Sequence, residues 1–175
     1  ILSQNASTVG ALDLKFYNVY NQNNFNFFDS LEKNEFKLLY LIGSDNLKIK
    51  KDKEFIIYQG SHGDRGSEIA DVILPVPAFT EQNGLYINLE GRVQECRKAS
   101  YPIGKALEDW KIFNLISNKI YGSKLFENFN KIRELAIKEI KNFSDIDLLP
   151  RKDNFKKENI TIDWSEEKIV IKEID

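Results

Sequence analysis

Three short runs of apolar residues, each closely followed by Gly or Pro, dominate the first half of the chain. They cover residues 38–42, 55–58 and 71–74. The first two are continuously apolar rather than alternating, a pattern typical of parallel strands that are buried on both faces. About ten residues separate consecutive runs, which is near the minimum for a parallel crossover and leaves room for only a short helix. The pattern predicts an α/β fold with a small, parallel, three-layer (Rossmann-like) sheet.

The spacing of apolar positions changes after Pro75. Residues 84–90 and 92–97 look extended, and residues 105–121 predict a helix capped by Gly122. A second helix is predicted over residues 125–143, with an apolar seam that packs on the parent domain or, alternatively, docks a partner. The stripe of the first helix comprises Trp110, Phe113, Ile116 and Ile120, and that of the second comprises Leu125, Phe129, Ile132, Ala136, Ile140 and Phe143.

The two ends of the chain carry other patterns. Helical spacing over residues 3–15, interrupted by Gly10, predicts the end of a helix, and the Asn-rich, aromatic residues 18–29 predict a loop. Apolar and polar residues alternate between 160 and 171 and predict a terminal β-hairpin, which needs another surface to be stable. We therefore divide the chain into an α/β domain (1–122), a C-terminal helix (123–150), and a linker with a hairpin tail (151–175).

Composition excludes several classes of function. The chain has 175 residues, of which 42% are hydrophobic and 30% charged, with a net charge of −2. That balance argues against a nucleic-acid binder, and no apolar run reaches the roughly 18 residues that membrane insertion requires. The single cysteine, Cys96, cannot form an internal disulfide, which favours a reducing compartment. The chain contains no Met and begins Ile-Leu-Ser, so we interpret it as a fragment.

The densest group of polar residues, 59–68, directly follows the second predicted strand. Parallel sheets place their ligand crevice at the carboxyl ends of the strands, and exposed amides that open a helix can hold an anion. The glycines do not match G-x-G-x-x-G, and no Gly-Lys-Ser/Thr follows. His62 with Asp64 and Glu68 could form a metal site or a proton relay. The simpler interpretation is a tight structural loop that the side chains of Asp64 and Arg65 hold together.

A second polar group comprises Asn88, Glu90 and Arg92. On a regular strand, Glu90 and Arg92 would lie on the same side and could pair with each other or with residues 64 and 65. An Arg at this position also suits a phosphate or carboxylate ligand. The default interpretation is a structural network of ion pairs, with Cys96 as a half-buried residue rather than a nucleophile.

Several of these residues form an ordered motif. Residues 58–66 and 70–75 are followed by Glu81-x-x-Gly84-x-Tyr86-x-Asn88-x-Glu90-Gly91-Arg92-Val93-Gln94, then by Arg97-Lys98-Ala99 and Glu108-Asp109-Trp110-Lys111. In this order and spacing they resemble the C-terminal part of the large iron–sulfur subunit of respiratory NADH:quinone oxidoreductase, complex I, within the molybdopterin oxidoreductase superfamily. The resemblance is dense over residues 55–112 and looser around 11–14 and 38–45.

The resemblance implies a non-catalytic scaffold within a subunit that relays electrons from NADH toward quinone. Such subunits hold 2Fe-2S and 4Fe-4S clusters on cysteines of their N-terminal part, so no cofactor is expected in this chain. Other peripheral-arm subunits are the implied partners, on the cytoplasmic side of the bacterial inner membrane or the mitochondrial matrix side. Positions that line the pterin crevice of catalytic relatives correspond here to His62, Asp64, Arg65, Asn88, Glu90 and Arg92, which are expected to survive as structure.

Some positions depart from the family pattern. Ser61 stands where a second histidine is common, Val76 and Pro77 replace a smaller pair, and Leu85 and Leu89 stand where threonines are usual. Loss of hydroxyls beside the crevice argues against a bound pterin and leaves the expected fold unchanged. Two alternatives stay open: a fragment of an active molybdopterin-dependent oxidoreductase, such as a formate dehydrogenase relative, and an anion-binding α/β module that uses His62 and Arg65.

Overall fold

The computed structural model describes residues 7–15, 27–44, 49–63 and 65–148. Strands β1 (Leu38–Ile42), β2 (Phe55–Gly60) and β3 (Val72–Pro75) form a sheet in the order β1-β2-β3, with both pairs parallel. Helix α3 (Arg65–Ile69) fills the crossover from β2 to β3. The predicted parallel sheet with a short crossover helix is confirmed.

One face of this sheet carries the first hydrophobic core. The buried residues are Leu39, Leu41, Ile49, Ile56 and Tyr58, and Leu31, Phe36, Ile69 and Ala70 pack against them. Leu31 belongs to helix α2 (Phe27–Glu32), so the loop predicted over residues 18–29 is wrong at its C-terminal end. Packing of an apolar residue on a core, rather than local propensity, decides short helices of this kind. Residues 16–26 lie outside the described part of the chain.

The opposite face of the sheet is only partly covered. Leu38, Ile42 and Phe55 point to this face and are 53%, 52% and 47% exposed. Helix α4 (Asp109–Tyr121) crosses the face, where Phe113 stacks on Tyr40 with ring centroids 6.1 Å apart. The prediction that the strands are buried on both faces is therefore wrong for β1 and for the amino end of β2, because α4 covers only part of this face. It is confirmed for the carboxyl end of β2, where consecutive residues 58–60 are buried.

A second, antiparallel sheet consists of β4 (Gly84–Ile87) and β5 (Val93–Cys96). Both strands are shorter than predicted because the residues between them form a turn. Ile87, Val93 and Phe143 make the second core, packed by Val9, Leu85, Ala136, Ile137, Ile140 and Ile146. Val9 comes from helix α1 (Ser7–Asp13), and Ala136 and Ile137 come from helix α5 (Phe129–Glu139). The apolar seam of the second predicted helix does pack on the parent domain.

The helix starts differ from the predictions. Helix α4 begins at Asp109 rather than 105, after Gly104 adopts a φ of 63°. Helix α5 begins at Phe129 rather than 125, because the side chain of Asn128 accepts the Lys131 N–H at 3.0 Å and fixes the N-terminus. Helix α5 ends at Glu139, and a 3₁₀ turn (Lys141–Asp145) follows it.

The predicted C-terminal cap of α4 is confirmed, whereas its predicted apolar stripe is wrong at one position. Gly122 has a φ of 71° and donates its N–H to the Asn118 carbonyl, as a left-handed cap requires. Ile120 is 66% exposed, while the polar Asn114 and Ser117 are buried. The Asn114 side chain forms hydrogen bonds with the backbone of residues 125 and 126. A pattern of apolar positions cannot predict such a role.

Other predictions fall on residues that the structure does not describe. The terminal hairpin over 160–171 and the linker before it lie outside the described ranges. Within those ranges, no helix is both long and apolar enough to span a bilayer.

Candidate functional site

The first group of candidate residues lies at the carboxyl end of β2. His62 is exposed, and its Nδ1 lies 2.9 Å from the Ser61 Oγ. Arg65 is exposed at the first position of α3, and Asp64 falls outside the described residues. The Tyr58 hydroxyl donates to the His62 carbonyl at 2.9 Å, which fixes the backbone of the turn to the core.

Gly60 allows the chain to make this turn over Tyr58. A Cβ built on Gly60 would meet Oη and Cζ of Tyr58 and lie 2.7 Å from its Cε1. Tyr58 is 1% exposed, so its ring has no room to move away. Close packing, rather than backbone conformation, therefore requires glycine here.

A further polar cluster at this edge of the sheet joins Gln59, the first residue of the predicted polar group, to two residues that the sequence did not single out as a site. Gln59 is fully buried; its Nε2 donates to Asp109 Oδ1 at 2.5 Å, and its Oε1 accepts the Tyr40 hydroxyl at 2.5 Å. Burial and the nearby Asp109 carboxylate raise the pKa of Tyr40 above its ordinary value of 10.0. The three side chains join β1, β2 and the N-terminus of α4. Tyr40 was hidden in an apolar run, and Asp109 was noted only in the family motif.

A further tyrosine lies near the same carboxylate. Burial raises the pKa of Tyr86, with smaller contributions from the charges of Cys96 and Asp109. Cys96 is half-buried, as predicted, and its Sγ lies 3.9 Å from the Phe79 carbonyl oxygen.

The second group of candidates forms the turn of the β4–β5 hairpin. Asn88 Oδ1 accepts the N–H groups of Glu90 and Arg92 at 3.0 and 2.9 Å, while Gly91 supplies a φ of 80°. Side-chain bonds of this type shape turns locally. The suggested pairing of Glu90 with Arg92 is wrong, because both residues lie in this turn rather than on a regular strand and no ion pair joins them.

Arg92 reaches a different part of the chain. Its Nη2 donates to the Asp147 carbonyl at 3.0 Å, and its Nε is buried without a partner. Asp147 Oδ1 in turn accepts the Glu95 N–H, and Glu95 pairs with Arg133 of α5 at 3.2 Å. The ion pair beside the hairpin is thus made by Glu95 and Arg133, and in the described part of the chain neither Glu90 nor Arg92 forms one.

The structure does not join the two groups of candidates. Among the described residues, no hydrogen bond or ion pair links His62 or Arg65 to Asn88, Glu90 or Arg92. The described part of the chain also contains no group of three or more His, Cys, Asp or Glu side chains placed to hold a metal ion.

The sequence model of the family described as Molybdopterin oxidoreductase matches residues 1–119. The chain belongs to the molybdopterin oxidoreductase family. It is 39% identical over 93% of its length to the G subunit of the NADH-quinone oxidoreductase of Rickettsia felis. It is 44% identical over 75% of its length to the NADH-ubiquinone oxidoreductase 75 kDa subunit of Reclinomonas americana. The matched part spans 24% and 19% of these relatives, so the chain corresponds to about a quarter of their length or less.

The family raises the question of whether these side chains fit a pterin. A pterin and its phosphate need free donors and acceptors at the carboxyl ends of the strands. The oxygen and the nitrogen of the Gln59 side chain are both hydrogen-bonded. The Asn88 oxygen accepts two N–H groups of its own turn, and Arg92 donates to a main-chain carbonyl. Of the described candidates, only His62, Glu90 and Arg65 are exposed. Asn88 and Arg92 are therefore engaged within the fold, whereas His62, Arg65 and Glu90 face solvent.

Proposed function

We propose that this chain is a non-catalytic structural segment of the large iron–sulfur subunit of NADH:quinone oxidoreductase, complex I. The whole subunit would relay electrons from NADH toward quinone. The proposal is supported by the bacterial and 75 kDa relatives, which match most of the chain at about 40% identity. Those relatives favour it over the alternative of an active formate dehydrogenase-like enzyme.

One observation carries the non-catalytic part of the proposal. At the carboxyl end of β2, where a parallel sheet places its ligands, the buried Gln59 is bonded inward to Tyr40 and Asp109. These bonds join two strands to helix α4. The buried amide of the crevice would thus act in packing rather than contact a substrate.

The proposal extends to cofactors, partners and location. The chain itself would hold no cofactor, and the 2Fe-2S and 4Fe-4S clusters of the enzyme would be bound by other parts of the subunit. Its neighbours would be other peripheral-arm subunits of complex I. The chain would lie on the cytoplasmic side of the bacterial inner membrane, or on the matrix side in a mitochondrion, without inserting into the bilayer.

The test compares turnover with assembly. In cells that make the complex, the double variant His62→Ala, Arg65→Ala removes two exposed polar side chains of the crevice without opening the core. We expect NADH:quinone turnover per assembled complex to stay unchanged. Gly60→Ala, which forces a Cβ into Tyr58, is expected to lower the amount of complex but not the turnover of what assembles.

Two results would contradict the proposal. One is a fall in turnover per complex in the double variant with normal assembly, which would give the crevice a chemical role. The other is failure of the chain to co-purify with other NADH:quinone oxidoreductase subunits.

A further inference from the structure

Residues 140–148, which we call the strap, run from the end of α5 across the second core to strand β5. Among the strap side chains that the structure describes, only Phe143 is buried, with 5% exposure. Ile140 and Ile146 pack against the same core from partly buried positions. No described residue of the strap contributes to the first core. One buried ring therefore provides most of the apolar contact that holds the strap in place.

Asp147 fastens the far end of the strap to the hairpin. Its N–H donates to the Val93 carbonyl at 2.8 Å, and its Oδ1 accepts the Glu95 N–H at 3.3 Å. Its carbonyl accepts the Arg92 Nη2 at 3.0 Å. Asp147 is itself exposed, so a single surface residue makes three hydrogen bonds to the hairpin.

The closed strap carries two costs that opening would remove. Asp147 has a φ of 62°, a left-handed conformation that residues other than Gly adopt infrequently. Arg92 donates to Asp147 through Nη2, while its Nε is buried without a hydrogen-bond partner. A buried N–H without an acceptor is costly, and water would hydrate the guanidinium once the strap moved away. Both costs lower the free energy that opening requires.

The loop after α4 is held in a different way. Asn114, with 7% exposure, accepts the N–H groups of residues 125 and 126 and donates to the carbonyl of residue 126. These bonds are shielded from water because Asn114 is buried, whereas the bonds of Asp147 lie at the surface. Bonds at the surface are readily exchanged for bonds to water. The strap is therefore the more easily opened of the two connections.

We propose that the strap opens and closes as one unit while the parallel sheet stays folded, with Asp147 as its latch. Opening breaks the three bonds of Asp147 and withdraws Phe143 from the second core. It uncovers Ile87 and Val93, the buried apolar residues of the hairpin. The inference rests on contacts within the described chain and does not depend on the proposed function.

Amide-resolved hydrogen exchange of the full protein measures this opening. Opening frees the N–H groups of Glu95, Phe143 and Asp147, each of which is hydrogen-bonded when the strap is closed. The reference is the N–H of Tyr58, which lies in the central strand of the parallel sheet. We expect one shared protection factor for the first three N–H groups, at least about 100-fold below that of Tyr58.

Variants of Asp147 separate the latch from the backbone conformation. Asp147→Gly removes the carboxylate without opposing the positive φ, and it should speed exchange at Phe143 about tenfold. Asp147→Asn keeps an acceptor oxygen and should stay within about twofold of the parent. Asp145→Ala is the matched control, because the Asp145 carboxylate accepts a bond from the neighbouring Ser144 at 3.5 Å. Exchange at Phe143 should change by about twofold at most in this control.

Three results would overturn the inference. Equal protection at Phe143 and Tyr58 in the parent protein would mean that the strap opens only when the whole chain unfolds. Different protection factors at Phe143 and Asp147 would mean that the strap does not move as one unit. If Asp147→Gly left exchange at Phe143 unchanged, Asp147 would not be the latch. The first two comparisons use the parent protein, so they do not depend on how well a variant folds.

Discussion

The parallel sheet and the β4–β5 hairpin each carry a bonded side-chain amide, Gln59 and Asn88, but the two amides bond over very different distances along the chain. In the parallel sheet, Gln59 bonds to Tyr40, 19 residues away, and to Asp109, 50 residues away. In the hairpin, Asn88 bonds to the backbone two and four residues ahead. The Gln59 amide therefore joins separate elements, whereas the Asn88 amide shapes only its own turn.

The difference teaches where each loop's polar residues matter. A buried amide between two strands and a helix is costly to remove, because its half-buried partners lose their hydrogen bonds. When an exposed turn loses its side-chain acceptor, its backbone N–H groups can bond to water instead. Loss of the Gln59 amide should therefore affect the whole fold, and loss of the Asn88 amide only its surroundings.

The largest effect is expected from Gln59→Leu. The change would leave Asp109 Oδ1 and the Tyr40 hydroxyl without their partner in a site where Gln59 is fully buried. We expect the free energy of unfolding to fall by about 3 kcal/mol in urea denaturation of the chain.

Gln94→Leu is the matched control, because Gln94 is an exposed glutamine of β5 and should change stability by about 0.5 kcal/mol or less. Tyr40→Phe combined with Gln59→Leu should cost less than the two single changes added together, since they remove one shared network. Full additivity would mean that the network is not coupled.

The next effect is expected from Gly60→Ala at the end of β2. The new Cβ would meet the ring of the buried Tyr58, and we expect a loss of about 2 kcal/mol from overpacking. Gly63→Ala, three residues later, is the control: its Cβ would meet only the Ser67 Oγ at 3.5 Å, an ordinary contact. Equal losses in the two variants would show that the loop, not the packing over Tyr58, limits stability.

The contrast also explains how far the sequence could predict the molecule. Short-range signals were reliable: apolar runs located three parallel strands, and Gly122 marked a helix end. Long-range bonds were not visible. Nothing near Tyr40 in sequence points to Gln59, and nothing near Arg92 points to Asp147. The start of α5 was predicted too early, because the prediction followed the apolar period alone and did not use the capping signal of Asn128. Exposure of Leu38 could not be predicted either, because it depends on what covers the sheet.

A smaller effect is expected from Asn88→Ala in the hairpin turn. The variant loses the acceptor for the Glu90 and Arg92 N–H groups, and we expect a loss of about 1 kcal/mol. Asn88→Asp keeps an acceptor oxygen and should restore most of it. Glu90→Ala, at an exposed side chain of the same turn, should change little. A loss as large as that of Gln59→Leu would remove the distinction between the two loops.

The smallest effect concerns the amino end of the parallel sheet and depends on pH. Asp71 accepts hydrogen bonds from Lys51 Nζ at 2.6 Å and from the Ile56 N–H at 2.8 Å, and these lower its pKa below the ordinary value of 3.8. A carboxyl whose pKa is lowered by folding stabilises the fold above its unfolded pKa, and the contribution is lost as pH falls through the folded pKa.

Asp71→Asn should therefore destabilise the chain at neutral pH, and its difference from the parent should shrink as the pH falls below 3.8. Urea denaturation at a series of pH values measures this difference. Asp52→Asn is the control for loss of a surface charge, because the exposed Asp52 side chain bonds to no described residue, and it should change stability at neutral pH by about 0.5 kcal/mol or less. If the difference between Asp71→Asn and the parent stayed constant at the lowest pH measured, the bonds to Lys51 and Ile56 would not be what ties β3 to β2 at this end. The contrast with the local bonds of Asn88 would then hold only at the carboxyl end of the sheet.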